Sequence, residues 1–215
     1  MLDKIFPKIH AEGYKFLATA IIITIFFYFF NNFLALISLV LTIWVYYFFR
    51  DPERISINDD NYLTSPADGE VLMVHEVDGP KEFGLEDKKF IKISIFMNVL
   101  DCHVNRTPCD GKISEIFYKP GKFLNASLDK ASEDNERNYY KIINNQDEEV
   151  IVVQIAGLIA RRIVCESSKD QQLKQGDRIG MIRFGSRADV YFQNYKPLVK
   201  VGQTAIAGET LLAKK

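Results

Sequence analysis

The feature that most constrains the fold is an N-terminal stretch without a charged side chain. Two apolar runs, Phe16 to Phe30 and Phe33 to Phe49, are separated only by Asn31-Asn32. Each run falls short of the ~20 apolar residues that a spanning helix requires. Either a helical hairpin with the asparagines at its tip or one tilted helix satisfies this pattern. Basic residues flank both ends of the pair, which favours a hairpin with both ends in the cytoplasm.

Two other interpretations of this stretch fit less well. A cleaved signal peptide would have a shorter apolar region and a small-x-small cleavage site after it, and neither is present. A hairpin buried in the core of a soluble protein remains the alternative. The sequence therefore predicts a membrane anchor in residues 1–50, followed by a polar linker in residues 51–62 and a separate domain in residues 63–215.

The apolar residues of the domain in residues 63–215 follow the periodicity of β-strands. Its apolar runs are rich in β-branched and aromatic residues and are separated by Gly, Pro, Asn and Asp. Only Asn125 to Arg137 has a composition compatible with a helix. We predict strands at Glu70 to Val77, Phe90 to Met97, Gly111 to Tyr118, Tyr139 to Ile143, Glu149 to Ala156, Ile159 to Cys165, Ile179 to Phe184 and Ala188 to Phe192.

Two glycine-turn segments near the C-terminus narrow the fold class. Residues 173–180 and 199–212 both place glycine turns between short apolar strands, as in the barrel-sandwich folds of lipoyl and biotinyl domains. The lysine tripeptides of those carriers are missing, so the similarity concerns the fold alone. The predicted fold class is mainly β: a barrel-sandwich-like β domain preceded by an N-terminal membrane helical hairpin.

Composition excludes several function classes. The 27 basic side chains are balanced by 28 acidic ones, so no basic field exists that would bind nucleic acid. The three cysteines form no Cys-x-x-Cys pair, which favours a reducing compartment. Cys102, His103 and Cys109 have a poor spacing for a metal centre, and we predict no metal.

The pair Gly185-Ser186 has the features of a self-cleavage site. It joins two strand-like runs and places a hydroxyl beside a carbonyl that no side chain shields. Attack of Ser186 Oγ on the Gly185 carbonyl would give an ester, β-elimination would leave dehydroalanine, and hydrolysis would give a pyruvoyl group and ammonia. Such a ketone forms a Schiff base with an amine and accepts the electrons released when a carboxylate leaves as carbon dioxide. An ordinary turn is the alternative.

The surrounding motifs carry a family resemblance. Residues 184–190 (FGSRADV), 65–69 (SPADG) and 103–108 (HVNRTP), with two further segments at 121–137 and 154–163, resemble the short form of the phosphatidylserine decarboxylase proenzyme family. The resemblance implies conversion of phosphatidylserine to phosphatidylethanolamine, with cleavage into chains 1–185 and 186–215 that stay associated. It also implies a pyruvoyl cofactor derived from Ser186 and a location at the cytoplasmic face of the cell membrane, and it is compatible with a homo-oligomer.

Three residues are candidates for the catalytic machinery besides Gly185. Ser186 is the nucleophile, and His103, at a strand-to-turn junction, is a better candidate base than His10 or His75. Asp68 would hold the imidazole in the required tautomer, and its alternative role is an Asx-type turn closed by the following glycine.

The segment around His103 departs from the longer members of the family. Those members carry two histidines in the segment that matches residues 101–108, one for self-cleavage and one for decarboxylation, whereas here Asn105 and Arg106 stand beside a single histidine. Either His103 serves both steps or another donor protonates the carbanion.

Substrate recognition and three rival functions remain open. Guanidinium groups bind phosphate and carboxylate in a bidentate manner, and the candidates are Arg106, Arg161, Arg162 and Arg187. One rival is a membrane-tethered barrel-sandwich adaptor without activity. A serine hydrolase is a second, but Ala188 stands where its nucleophile elbow would have a glycine. A soluble pyruvoyl-dependent amino-acid decarboxylase is a third, and the apolar N-terminus argues against it.

Overall fold

The computed structural model describes residues 6–126, 134–157, 162–183 and 186–215. The chain divides into two compact units, one ending at Glu53 and one beginning at Arg54. The first unit is helical and the second is built from strands.

The helical unit consists of two apolar helices, α1 (Gly13–Phe30) and α2 (Asn32–Phe48). The helices pack against each other, and the hydroxyl groups of Thr24 and Thr42 lie 2.9 Å apart across their interface. Asn31 separates them, and its side-chain oxygen accepts hydrogen bonds from two amides in the first turn of α2. The predicted helical hairpin is therefore confirmed.

The surface of this unit is apolar. Phe29 and Phe30 at the end of α1 are 76% and 72% exposed. α1 is long and apolar enough to cross a membrane, and α2 is a shorter apolar helix of 17 residues. Large exposed aromatic side chains are costly in water, so the helical unit favours an association with membrane.

The second unit, the β domain, consists of short and medium-length strands with one 3-10 helix at Lys81–Phe83. In the part of this domain that the structure describes, the strands are β1 (Tyr62–Thr64), β2 (Gly69–Asp78), β3 (Lys89–Met97), β4 (Val104–Arg106), β5 (Gly111–Lys119), β6 (Arg137–Asn144), β7 (Glu149–Ala156), β8 (Arg162–Cys165), β9 (Gln172–Leu173), β10 (Arg178–Arg183), β11 (Ser186–Phe192), β12 (Lys196–Pro197), β13 (Thr204–Ala205) and β14 (Leu211–Lys214).

These strands form one large antiparallel sheet and two small ones. The large sheet has the order β13-β2-β3-β11-β7-β6-β5-β9, and the small sheets have the orders β1-β14-β12 and β4-β10-β8. β11 therefore lies between β3 and β7 and is hydrogen-bonded on both edges. The prediction of a mainly β domain after an apolar hairpin is confirmed.

Where the structure describes them, the predicted strands agree with the observed ones within a few residues; residues 159–161 and 184 of two predicted strands lie outside the described residues. The segment from Asn125 to Arg137 was a candidate helix, and residues 127–133 of it lie outside the described residues. Its last residue, Arg137, begins β6 and pairs with Lys119 and Ile155. Sheet pairing on both edges therefore determines the conformation there.

The large sheet buries both of its faces. Ala188 and Val190 of β11 point into the main core, together with apolar residues of β3 and β7. The alternate residues, including Tyr191, point to a smaller cluster that contains Phe90 and Tyr139. Since side chains alternate along a strand, Ser186 belongs to the main-core face and its neighbour Arg187 to the other.

Candidate active site

Ser186 is the first residue of β11. Its Cα is paired with Met97 at the end of β3 and with Ala156 at the end of β7, and the residue is completely buried. The Oγ atom lies 3.8 Å from the sulfur of Met97. Gly185 lies outside the described residues. The sheet therefore fixes the serine at a strand end, in a site from which water is excluded.

His103 lies just before β4 and is also completely buried. Its Nδ1 atom is 3.0 Å from the carbonyl oxygen of Asp101. A carbonyl can only accept a hydrogen bond, so Nδ1 carries the proton and Nε2 is the basic nitrogen of the ring. The main chain thereby supplies the tautomer that a general base requires.

A chain of buried neutral polar groups lies beside Ser186. The amide nitrogen of Asn105 is 3.5 Å from the sulfur of Met97, the same atom that Ser186 contacts. The side-chain oxygen of Asn105 accepts a hydrogen bond of 2.9 Å from Gln154 on β7. The oxygen of Gln154 in turn lies 2.9 Å from the hydroxyl of Tyr140 on β6. Asn105 and Ser186 therefore share the Met97 sulfur as a contact.

The far end of this chain is also fixed. The hydroxyl of Tyr140 lies 2.8 Å from the carbonyl oxygen of Ile179, and burial raises the pKa of this phenol well above its ordinary value. Tyr140 therefore stays protonated. Gly180 permits the close approach, because a Cβ there would lie 2.2 Å from the carbonyl of Val164 and 3.1 Å from the Tyr140 hydroxyl.

Asp68 lies close to the strand that follows His103 but has other partners. One carboxylate oxygen accepts a hydrogen bond of 2.7 Å from Arg54, and the other accepts one of 2.8 Å from the amide of Ala207. The segment of Asp68 reaches β4 through the amide of Arg106, which donates to the carbonyl of Pro66. The role of Asp68 in orienting His103 stays a prediction, and the Asp101 carbonyl occupies Nδ1.

The four predicted substrate arginines occupy different environments. Arg106 is buried, and its guanidinium donates to the carbonyl of Gly176 at 2.8 Å. Arg187 is fully buried on the sheet face opposite Ser186. Arg162 is exposed at the start of β8, and Arg161 lies outside the described residues. Among these four arginines, Arg162 is the one that the structure describes at the surface.

The guanidinium of Arg187 forms a two-pronged ion pair. Its Nε and Nη2 atoms each lie 2.7 Å from an oxygen of Asp189, and the two side chains are 1% and 2% exposed. A third contact of 3.4 Å reaches the carbonyl of Ala126. This geometry gives Arg187 a structural partner two residues along its own strand.

Sequence reasoning missed part of this site. Tyr140 and Gln154 are separated from Asn105 by tens of residues and look like ordinary strand residues, so no local pattern indicates their contact. The Arg187-Asp189 pair did have a signal, since opposite charges two residues apart in a strand lie on the same face.

An eight-stranded antiparallel sheet with a buried serine at the start of a central strand, and a buried histidine just before β4, define the class: a β-domain enzyme precursor with a candidate self-processing site. The model of the family named phosphatidylserine decarboxylase matches residues 41–213. The chain belongs to the phosphatidylserine decarboxylase family.

Individual relatives extend this similarity over the whole chain. The chain is 86% identical over 215 residues, all of both proteins, to a phosphatidylserine decarboxylase proenzyme of Pelagibacter ubique (strain HTCC1062). It is 50% identical to that of Ruegeria pomeroyi over 99% of this chain and 98% of the relative. The corresponding proenzyme of Rickettsia typhi is 48% identical over 98% and 92%.

Proposed function

We propose that the chain is a proenzyme that cleaves itself between Gly185 and Ser186 and then decarboxylates phosphatidylserine to phosphatidylethanolamine. The observation that carries the proposal is the position of Ser186, a buried serine at the start of a strand held on both edges, in a chain of this family. The adaptor, hydrolase and amino-acid decarboxylase alternatives are not favoured by full-length identity to proenzymes of this name.

The residues around position 186 fit a pyruvoyl group. A pyruvoyl group has the three carbons of the serine from which it derives, so it fits the volume that Ser186 occupies against Met97. The side-chain amide nitrogen of Asn105 lies 3.5 Å from the same sulfur. The group supplies a ketone that condenses with the substrate amine and accepts the electron pair left by carbon dioxide.

His103 is the proposed base for self-cleavage. With its Nδ1 proton held by the Asp101 carbonyl, Nε2 takes the proton of the Ser186 hydroxyl as Oγ bonds to the Gly185 carbonyl carbon. The peptide nitrogen leaves that carbon and becomes the amine of residue 186. Loss of the Ser186 α proton then expels the Gly185 carboxylate, and water releases ammonia from the dehydroalanine that remains.

The sheet explains how two chains would stay together after cleavage. The small chain, residues 186–215, would contribute β11 to the centre of the large sheet, between β3 and β7. It would also contribute β13 beside β2 and β14 beside β1. Separation of the chains would require breaking all of these ladders, so the cleaved protein stays one folded unit.

Substrate binding and location complete the proposal. The exposed Arg162 supports a role at the anionic head group, whereas the ion pair of Arg187 and the main-chain contact of Arg106 support structural roles. The apolar hairpin, with basic residues at both ends, supports association with the cytoplasmic face of the cell membrane.

The decarboxylase activity can be tested by chemical trapping. Purified protein is incubated with phosphatidylserine vesicles, and borohydride is added during turnover. We expect release of carbon dioxide, formation of phosphatidylethanolamine and a lipid adduct on the chain that begins at residue 186. Vesicles of phosphatidylglycerol, which has no amine, are the control and should give no adduct. Carbon dioxide release without an adduct on the small chain would contradict the assignment of the electrophile to position 186.

A further inference from the structure

The turn that connects β3 to the His103 segment displays two large apolar side chains. Val99 is 37% exposed and Leu100 is 57% exposed. The turn is held together by Asn98 and Asp101: the amide of Asn98 donates to the Asp101 carboxylate at 2.8 Å, and the amide of Leu100 donates to the Asn98 side chain at 2.8 Å. We call residues 98–101 the apolar tip. Side-chain hydrogen bonds therefore hold the turn from which the two apolar side chains extend.

The apolar tip is joined directly to both residues of the proposed site. Met97, immediately before it, is the Cα partner of Ser186 and contacts its hydroxyl. Asp101, its last residue, holds Nδ1 of His103 through its carbonyl oxygen. A surface that binds the tip is therefore brought close to the residues that would act on the substrate.

Two arginines extend the same edge. Arg183 at the end of β10 is the Cα partner of Arg162 at the start of β8. The amide of Ile182 donates to the carbonyl of His103, and continuation of this antiparallel register places Arg183 beside Cys102, next to the tip. Guanidinium groups bind phosphate oxygens in a bidentate manner, so two of them at paired strand positions favour an anionic ligand.

We propose that the apolar tip and the Arg162–Arg183 pair form a lipid-binding edge that docks the β domain onto an anionic phospholipid bilayer. Val99 and Leu100 enter the boundary between head groups and acyl chains, and the two arginines bind lipid phosphates. This inference rests on the proposed function, because a bilayer lipid is the substrate that the family name indicates. It assigns to the β domain a membrane contact of its own, in addition to the helical hairpin.

The kinetic test compares two physical forms of one substrate with the full-length protein. Decarboxylation is measured with phosphatidylserine in phosphatidylcholine vesicles and with a short-chain phosphatidylserine below its micelle concentration. We expect Val99→Asn/Leu100→Asn to lower kcat/KM on vesicles roughly tenfold, the effect of withdrawing one or two aliphatic side chains from lipid. Turnover of the short-chain substrate and self-cleavage should stay within about twofold of the wild type, since the reacting groups are untouched.

Matched variants separate the parts of the edge. Leu198→Asn makes the same change at a leucine with 48% exposure after β12, in a different sheet, and should leave both activities unchanged. Arg162→Gln/Arg183→Gln should remove the dependence of vesicle activity on anionic lipid. Equal activity of the tip variant and the wild type on vesicles would overturn the inference, as would an equal loss on both substrates.

A second measurement does not depend on activity and so separates this inference from the proposed function. Trp44→Phe/Leu100→Trp has a single tryptophan, at the tip, because Trp44 is the only natural one. In vesicles of phosphatidylcholine and phosphatidylglycerol, we expect lipids brominated near the head group to quench its fluorescence more than that of Trp44→Phe/Leu198→Trp. Equal quenching would overturn the lipid contact, including the case in which a protein partner covers the tip.

Discussion

The two faces of β11 both bury polar groups, but they do so in different ways. On the main-core face, Ser186 contacts the Met97 sulfur, which also contacts Asn105 of β4, and neutral side chains continue from Asn105 through Gln154 to Tyr140. On the opposite face, Arg187 and Asp189 form an ion pair that is almost inaccessible to water. The side chains that lead from the proposed nucleophile to Tyr140 are therefore neutral, while this ion pair lies on the other face of the sheet.

The difference between the two faces indicates how β11 can be held firmly next to the proposed cleavage point. A buried ion pair is costly to desolvate, and its geometry must be good to repay that cost. The two contacts of 2.7 Å between Arg187 and Asp189 meet this condition. They anchor β11 one residue after the proposed cleavage point, from the sheet face opposite Ser186.

The largest expected effect on stability comes from breaking the ion pair. Arg187→Met leaves the Asp189 carboxylate buried without its partner, and we expect a loss of about 3–5 kcal/mol in the free energy of unfolding. Thermal unfolding in detergent, in a Ser186→Ala background that keeps the chain in one piece, measures the loss as a lower Tm.

The control for this variant removes both charges. Arg187→Met/Asp189→Leu leaves no unpaired charge, and it should recover most of the lost stability because apolar pairs often replace buried ion pairs at little cost. If the double variant were as unstable as the single one, the ion pair would not be the anchor of this face.

A smaller effect is expected when one tyrosine hydroxyl is removed from either face of the sheet. Tyr140→Phe removes a group that holds Gln154, whereas Tyr139→Phe removes one that accepts a hydrogen bond from Arg137 on the opposite face. Each hydrogen bond contributes about 1 kcal/mol. We expect Tyr140→Phe to slow self-cleavage on the order of fivefold, the factor equivalent to about 1 kcal/mol, and Tyr139→Phe to leave it nearly unchanged.

Self-cleavage in this pair of variants can be followed by cell-free synthesis and gel electrophoresis at timed intervals. Equal rates for both variants would show that the neutral chain from Asn105 to Tyr140 does not orient the serine. The comparison is matched, since both tyrosines belong to β6 and both are buried.

The general architecture could be predicted from the sequence because it depends on local patterns. The uncharged run before Arg50 indicated two helices, and Asn31 gave the turn between them, where it also caps α2. The alternation of apolar residues predicted six of the eight strands of the large sheet, including β11, which begins at Ser186, two residues before the predicted start. The period of the apolar residues and the positions of turn-forming residues are sufficient to predict such helices and strands.

The partners inside the site could not be predicted, because they depend on strand pairing over long sequence separations. Arg54 and the amide of Ala207 bind the two oxygens of Asp68, and the role of Asp68 in orienting His103 stays a prediction. A main-chain carbonyl binds Nδ1 of His103, and a sequence does not reveal the direction of a carbonyl. Arg187 pairs with Asp189 two residues later, and its role at the substrate stays a prediction.

The central claim is that Ser186 becomes the first residue of a second chain, and the intact mass of the purified protein under denaturing conditions tests it most directly. We expect two chains, residues 1–185 and 186–215, with the small one lighter by the mass difference between serine and pyruvoyl. Ser186→Ala should give one uncut chain. Ser94→Ala, which changes a buried serine of the paired strand β3 on the opposite face, should be cut like the wild type. A single chain of full mass from an active preparation would contradict the account.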